Sequence, residues 1–382
     1  MRIAQVAPIA EAVPPKLYGG TERVVSWLTE ELVRQGHEVT LFASGDSVTA
    51  AELVPVIPEG LRLAGIRDHV ASTLVMLDQL HKRASEFDMI HFHVDLLHFP
   101  MFQKLFHKCI TTLHGRLDLK DFHPIYRAFP DMPLVSISAA QRAPMPKAVN
   151  WHATVHHGLP PDLHPYNPKG GDYLVFLGRI APEKRPDRAI EIAKQAGLPL
   201  KIAAKVDAAD AKYFRDTIEP MLKHPLVEFI GEVNDAAKRE LLGNALALLF
   251  PIDWPEPFGL VVIEAMACGT PIIAWNNGSV PEIVDDGVNG AIVDSIEQAV
   301  DAIDRVRRLS RRTIRHSFER RFTVARMARN YVAAYQEILS MSDKPSQTAR
   351  TASERQRAIA APAPVVPDAG LLLTQQPAAA AK

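Results

Sequence analysis

Cysteine is almost missing: Cys109 and Cys268 are the only two in 382 residues. Two thiols cannot build a disulfide framework or a thiolate zinc site, and such scarcity points to a reducing, cytoplasmic setting. No apolar run approaches the ~18 residues that cross a bilayer, so no transmembrane segment is expected. The opening MRIAQVAPIA lacks the charged region, apolar core and cleavage site of a secretory leader. Charge of one sign is lacking too, since 43 Lys+Arg face 44 Asp+Glu for a net charge of −1. Binding nucleic acid by counterion release needs clustered excess cations, so no nucleic-acid partner is expected. Nor does any G-x-G-x-x-G follow a strand-like run, which argues against a dinucleotide-dependent oxidoreductase.

What is there is alternation. Short β-branched runs such as Ile3 to Ala7, HEVTLFA and MIHFHV alternate with helical stretches such as Thr21 to Gln35. Residues 46–68 are broken by prolines and carry no assignable element. Residues 160–172 hold four prolines and two glycines, a turn-rich linker, after which the alternation restarts with YLVFLG and RPDRAIEIAKQAG. A run of β–α units implies a parallel sheet covered on both faces. The expectation is therefore an α/β chain of two Rossmann-like doubly wound domains facing a central cleft. Their boundaries are 1–165 and 166–323, with a helix over about 324–341 joining the first. Residues 305–329 hold ten arginines against one glutamate, read as a solvated helix face. The Ala-, Pro- and Ser-rich residues 342–382 read as a disordered tail.

The densest chemical signal is DWPEPFGLVVIEAMACG, residues 253–269. The Pro-Glu-Pro around Glu256 cannot lie inside a helix, whereas Phe258 onward is apolar at helical spacing. Gly259 and Leu260 then fall in the first turn, whose free N–H groups and dipole suit phosphate or sugar oxygens. Glu264 lies one turn in, on the face of Leu260, so two carboxylates and several amide donors are expected at one spot. Glu264 also sits in an otherwise apolar stretch, where a buried charge needs a partner or a ligand. Arg179 and Lys184 flank a loop at the end of a strand and together can neutralise a diphosphate. Gly19 and Gly20, in a Tyr18-Gly19-Gly20-Thr21 turn, allow close backbone approach to a ligand. His114 ends the strand ITTLHG at the cleft edge. His91 and His93 form an H-x-H on one face, but no third ligand suggests itself, so no metal site is expected. The absence of any Asp-x-Asp points the same way, because a metal-dependent enzyme acting on a diphosphate wants such a pair for the cation.

These segments resemble a known family. PEPFGLVVIEAMACGTPIIAWNNGSVPEIV is similar to the E-x7-E segment of the family 4 retaining glycosyltransferases, and FLGRIAPEKRPDRAI to their G-R-x-x-x-x-K segment. YGGTERVVSWLTEELVRQGHEVTLF and TLHG follow the family order, and the likeness extends over about residues 1–340. The resemblance implies the GT-B architecture, with an acceptor-binding first domain and a second domain that binds the nucleotide-sugar. It implies that Arg179 and Lys184 bind the donor diphosphate, Glu264 the ribose and Glu256 a sugar hydroxyl. Amides at Phe258, Gly259 and Leu260 hold sugar and phosphate oxygens, Gly19 and Gly20 close over the diphosphate, and His114 touches the sugar. Catalytic weight falls on His114, Arg179, Lys184 and Glu256. Two positions depart from the pattern: IAAKVD at 202–207 lacks the usual Gly-x-Gly, and His157 stands where Asn is usual. The implied reaction moves a hexosyl group from a nucleoside diphosphate sugar, UDP preferred over GDP, to an unknown hydroxyl acceptor with retention of configuration. No metal or other cofactor is expected. A nucleotide-sugar 2-epimerase and a non-catalytic binder of the same fold remain as alternatives. With 15 Lys+Arg against 17 Asp+Glu in residues 1–165, peripheral contact with an anionic membrane has little support.

Overall fold

The computed structural model describes residues 1–16 and 19–342, so Tyr18 and all but the first residue of the expected tail lie outside the described residues. Two all-parallel sheets carry the chain. The first is built from β1 (Arg2–Val6), β2 (Glu38–Ser44), β3 (Glu52–Ile57), β4 (Met89–Phe92), β5 (Cys109–Leu113), β6 (Leu134–Ser136) and β7 (Trp151–Thr154). The second holds β8 (Tyr173–Arg179), β9 (Leu200–Lys205), β10 (Val227–Gly231), β11 (Ala245–Phe250), β12 (Ile272–Trp275) and β13 (Gly290–Val293). Strand orders are β3-β2-β1-β4-β5-β6-β7 and β10-β9-β8-β11-β12-β13. Each sheet thus reverses its winding once, between β1 and β4 and between β8 and β11, and the crevice at such a switch point is where doubly wound folds bind ligands.

The local chemistry explains the elements. Sheets covered on both faces need strands that are apolar throughout, and in β11, ALALLF, every residue is buried. Helix Gly20–Arg34 buries Val24, Val25, Leu28 and Leu32, one face at helical spacing. The last helix, Val324–Ser342, follows the second sheet in sequence but packs on the first: Met327, Tyr331, Tyr335 and Ile338 share a core with Ile3, Val24, Leu28 and Met89. To get there the chain passes residue 158, where a Cβ on Gly158 would collide with the Thr323 backbone. Backbone bonds from Leu159 to Phe322 (2.9 Å) and from Val324 to Leu159 (2.8 Å) lock that crossing. Among the described residues no helix is long and apolar enough to cross a membrane.

Several local readings change. The unassigned stretch 46–68 contains β3, an edge strand interrupted by Pro55 and only half buried, hence without an apolar run. Residues 211–221 form no continuous α-helix, being interrupted by a π-turn at Phe214–Ile218, just ahead of Pro220, whose ring and missing N–H disturb the i→i−4 ladder. The Glu264 helix begins at Leu260 rather than Phe258. Gly259 caps it at φ 83°, a left-handed conformation that a side chain disfavours.

The arginine-rich segment is not simply a solvated face. It spans the end of helix Ile296–Arg307 and all of Arg311–Arg321, and three of its arginines are staples. Arg311 donates to the carbonyls of Asn167 (2.7 Å), Gly243 (2.9 Å) and Ala245 (3.0 Å) and to the Thr270 hydroxyl (2.7 Å). Arg315 donates to the carbonyls of Pro161 (2.6 Å), His164 (2.9 Å) and Ala267 (2.6 Å), and Arg321 to the Asp285 carboxylate (2.6 Å). These bonds tie the proline-rich linker to the second sheet's layer.

Candidate active site

A cavity of about 1270 Å³ opens at the carboxyl ends of both sets of strands. From the first half it is lined by Gly19, Gly20, Arg23, His114 and His157. The second half supplies Gly178, Arg179, Lys184, Lys238, Glu256, Phe258, Gly259, Leu260 and Glu264. Pro8 beyond β1 and Phe250 ending β11 also line it, so both switch points feed one space. Every site residue expected from the sequence is on its wall. Gly20 lies close to the start of the Glu264 helix, for a Cβ there would come within 3.7 Å of Leu260 Cδ1.

Within the cavity Glu256 and Glu264 take different cation partners, Lys184 and Lys238. Lys184, in the turn Pro182–Lys184, forms an ion pair with Glu256 and sits 5.0 Å from the centre of the Trp254 ring. The Trp254 indole N–H donates to the same Glu256 carboxylate at 2.9 Å. Gly278, at φ 55°, allows this loop to close, since a Cβ there would run into the Glu256 backbone. Arg179, at the end of β8, is held by Glu183 (2.9 Å) and Asp210 (3.2 Å).

Glu264 is only 4% exposed. Lys238, on helix Asp235–Gly243, donates to it at 2.6 Å, and His164 Nε2 stands 3.8 Å away. Burial alone raises a carboxyl pKa, but the Lys238 ammonium and the His164 ring outweigh it and hold Glu264 well below the usual carboxylate range. Asp235 of the same helix also accepts from Arg23 (2.7 Å) on helix Gly20–Arg34, an ion pair across the cavity mouth. Beyond Leu260, the first-turn amides have no i−4 carbonyl within their helix and carry the positive end of its dipole.

Of the histidines, His114 and His157 line the cavity, and His91 and His93 are buried outside its lining. His91 bonds Tyr335 Oη and Thr112 Oγ1, both at 2.7 Å, so the H-x-H is a buried hydrogen-bonding device. His93 bonds Gln5 Oε1 and His114 Nε2, both at 2.8 Å. His114 stacks on His157 with ring centres 5.3 Å apart and planes 14° apart. Burial pushes the His114 ring down to about 3, and holds His91, His93 and His157 well below 6.5 as well. This histidine cluster is thus neutral at pH 7. Among the described residues there is no group of three or more His, Cys, Asp or Glu able to hold a metal ion.

Comparison with known families decides the identity. The family model for glycosyl transferases group 1 matches residues 165–322, and that for Glycosyltransferase Family 4 matches residues 18–150. The chain belongs to this glycosyltransferase family. A relative of the transferase is the D-inositol 3-phosphate glycosyltransferase of Mycolicibacterium smegmatis, 26% identical over 88% of this chain and 90% of the relative. Among solved structures, sucrose-phosphate synthase from Thermosynechococcus elongatus superposes with a TM-score of 0.72 at 17% identity, covering 89% of this chain and all of that one. Anabaena HepE in complex with UDP-glucose gives 0.67 at 16% identity, over 88% and 100%. The architecture of the transferase is GT-B.

Sequence reasoning missed the partners. Lys238 lies in DAAKRELL and Arg23 in GTERVV, both ordinary solvated helical patterns. The one signal was indirect: an acid in LVVIEAMA has to be answered by a cation, whose position only the tertiary structure supplies.

Proposed function

We propose that the transferase moves a hexosyl group from a nucleoside diphosphate sugar, UDP preferred over GDP, to a hydroxyl acceptor with retention of configuration and without a metal. The observation that carries this reading is the single cavity in which Arg179 and Lys184, Glu256, Glu264 and the first-turn amides at Leu260 all converge. Glu264, ionised and pre-ordered by Lys238, suits two ribose hydroxyls. The cations and the helix start lie where a diphosphate gains charge on leaving, which is electrostatic stabilisation in a partly dry site. Glu256, set by Trp254 and Lys184, reaches a sugar hydroxyl, and His114 meets the sugar from below. The acceptor enters from the first half, and its proton passes to the leaving phosphate on the same face. The absence of Asp-x-Asp supports metal independence, and the HepE complex with UDP-glucose supports the choice of base.

A thermal-shift panel of UDP-, GDP- and ADP-sugars, each with and without EDTA, tests the proposal. Donor at 100 times its Kd stabilises by about 2.7 kcal/mol. The UDP-sugars should raise the melting temperature equally in both arms. A shift that vanishes with EDTA contradicts metal independence, and no shift with any donor contradicts the donor reading.

A further inference from the structure

Behind His114 lies a relay that no part of the donor reading requires. Gln5 on β1, His93 just past β4 and His114 just past β5 stand on three adjacent strands. The Gln5 Oε1–His93 Nε2 and His93 Nδ1–His114 Nε2 contacts are both 2.8 Å. Gln5 is fully buried and His93 is 2% exposed, so water does not compete for these bonds. The other end of the Gln5 amide, Nε2, donates to the Tyr335 hydroxyl (3.3 Å) on the last helix.

With the Gln5 amide oriented so that Nε2 donates to Tyr335, proton counting along the relay has one solution. An amide oxygen only accepts, so His93 has to carry its proton on Nε2. A neutral imidazole has one N–H, so His93 Nδ1 is left as an acceptor and the proton of its bond to His114 belongs to His114 Nε2. His114, neutral as well, is left with a bare Nδ1. That atom is buried and has no hydrogen-bond partner among the described residues, while the ring lines the cavity.

We propose that Gln5 and His93 are positioning residues that fix His114 in the Nε2-protonated tautomer, so that its Nδ1 offers a lone pair to the ligand. The inference rests on the donor reading for the nature of that ligand: the group meeting Nδ1 has to bring a proton, and on a hexose that is a hydroxyl. A ring of the opposite tautomer would present an N–H there, and the hydroxyl would have to accept through its oxygen instead of donating. Tyr335 extends the relay to the last helix, so the helix that closes the fold also orients the amide that starts it.

Two-bond ¹H–¹⁵N correlation spectra of the full chain labelled with ¹⁵N-histidine read the tautomer directly, with His114 assigned by its loss in His114→Gln. The expected spectrum at pH 7 has an unprotonated Nδ1 and a protonated Nε2 on His114. Gln5→Glu, whose carboxylate can only accept, should keep that pattern, while Gln5→Met should turn it into a tautomer mixture. Protonation of His114 at Nδ1 in the wild type overturns the proposal. So does a switch of tautomer in Gln5→Glu or an unchanged pattern in a folded Gln5→Met. The spectra need no donor, so failure here leaves the transfer reading standing, and failure of every donor to bind leaves the relay standing.

Discussion

At the scale of single residues, burial sets the behaviour of the site. Glu264, His91, His93 and His157 are buried and His114 is half-buried, yet the acid and the rings end in opposite states. Glu264 stays charged because a lysine ammonium lies 2.6 Å away, whereas burial keeps the rings neutral. The histidines make stability depend on pH with a definite sign. Below about 6.5 the unfolded chain takes up protons on these rings while the folded chain does not, until His114 titrates near 3. Stability therefore falls as pH drops through that window, by up to ~1.4 kcal/mol per pH unit for each ring. Urea midpoints between pH 7 and pH 5 should decline steeply, and His114→Gln should remove about one ring's share of the slope. A midpoint flat across that range contradicts the neutral histidine cluster. The residues of the site were legible where the sequence broke its own pattern: an acid among aliphatics, a proline-flanked glutamate, two glycines after a strand. Lys238 and Arg23 broke no pattern, because a cation on a polar helix face looks alike whether it meets water or a buried carboxylate.

At the scale of elements, what was readable depended on periodicity. The apolar runs of β1, β8 and β11 and the amphipathic helix Gly20–Arg34 state their structure locally. Strand β3 does not, because an edge strand needs only one neighbour and tolerates Pro55. Helix Arg311–Arg321 was misread for a further reason: arginine donors there find backbone carbonyls on distant loops, and no local pattern encodes those acceptors. The staple makes a sharp expectation. Arg311→Lys loses the planar fork that serves three carbonyls and a hydroxyl at once, and should lower stability by about 2 kcal/mol. The exposed neighbour Arg312→Lys should change it by less than about 0.5 kcal/mol. Equal melting temperatures for the two variants contradict the staple.

At the scale of the whole molecule, the cavity belongs to neither sheet. Each sheet alone provides a switch point, and facing them gives one space of about 1270 Å³, with Arg179, Lys184 and Lys238 on its second-half wall and the neutral His114 and His157 rings on its first-half side. The last helix and the Arg23–Asp235 pair hold the halves in that relation. The duplication was legible from the restart of the β–α alternation near the linker. The way the halves close was not, since it rests on contacts between residues about 160 to 330 positions apart, such as Gly158 with Thr323 and Gln5 with Tyr335. The central claim is that a nucleoside diphosphate sugar sits across this space with its ribose at Glu264 and its sugar at Glu256. Calorimetry with UDP alone, in EDTA, on the wild type, Glu264→Gln and Glu256→Gln tests it most directly, with melting curves showing that each variant is folded. Wild-type protein should bind, Glu264→Gln should bind about 10-fold more weakly through loss of charge-assisted bonds, and Glu256→Gln should bind as the wild type does. No binding by the wild type, or equal losses in both variants, contradicts the account.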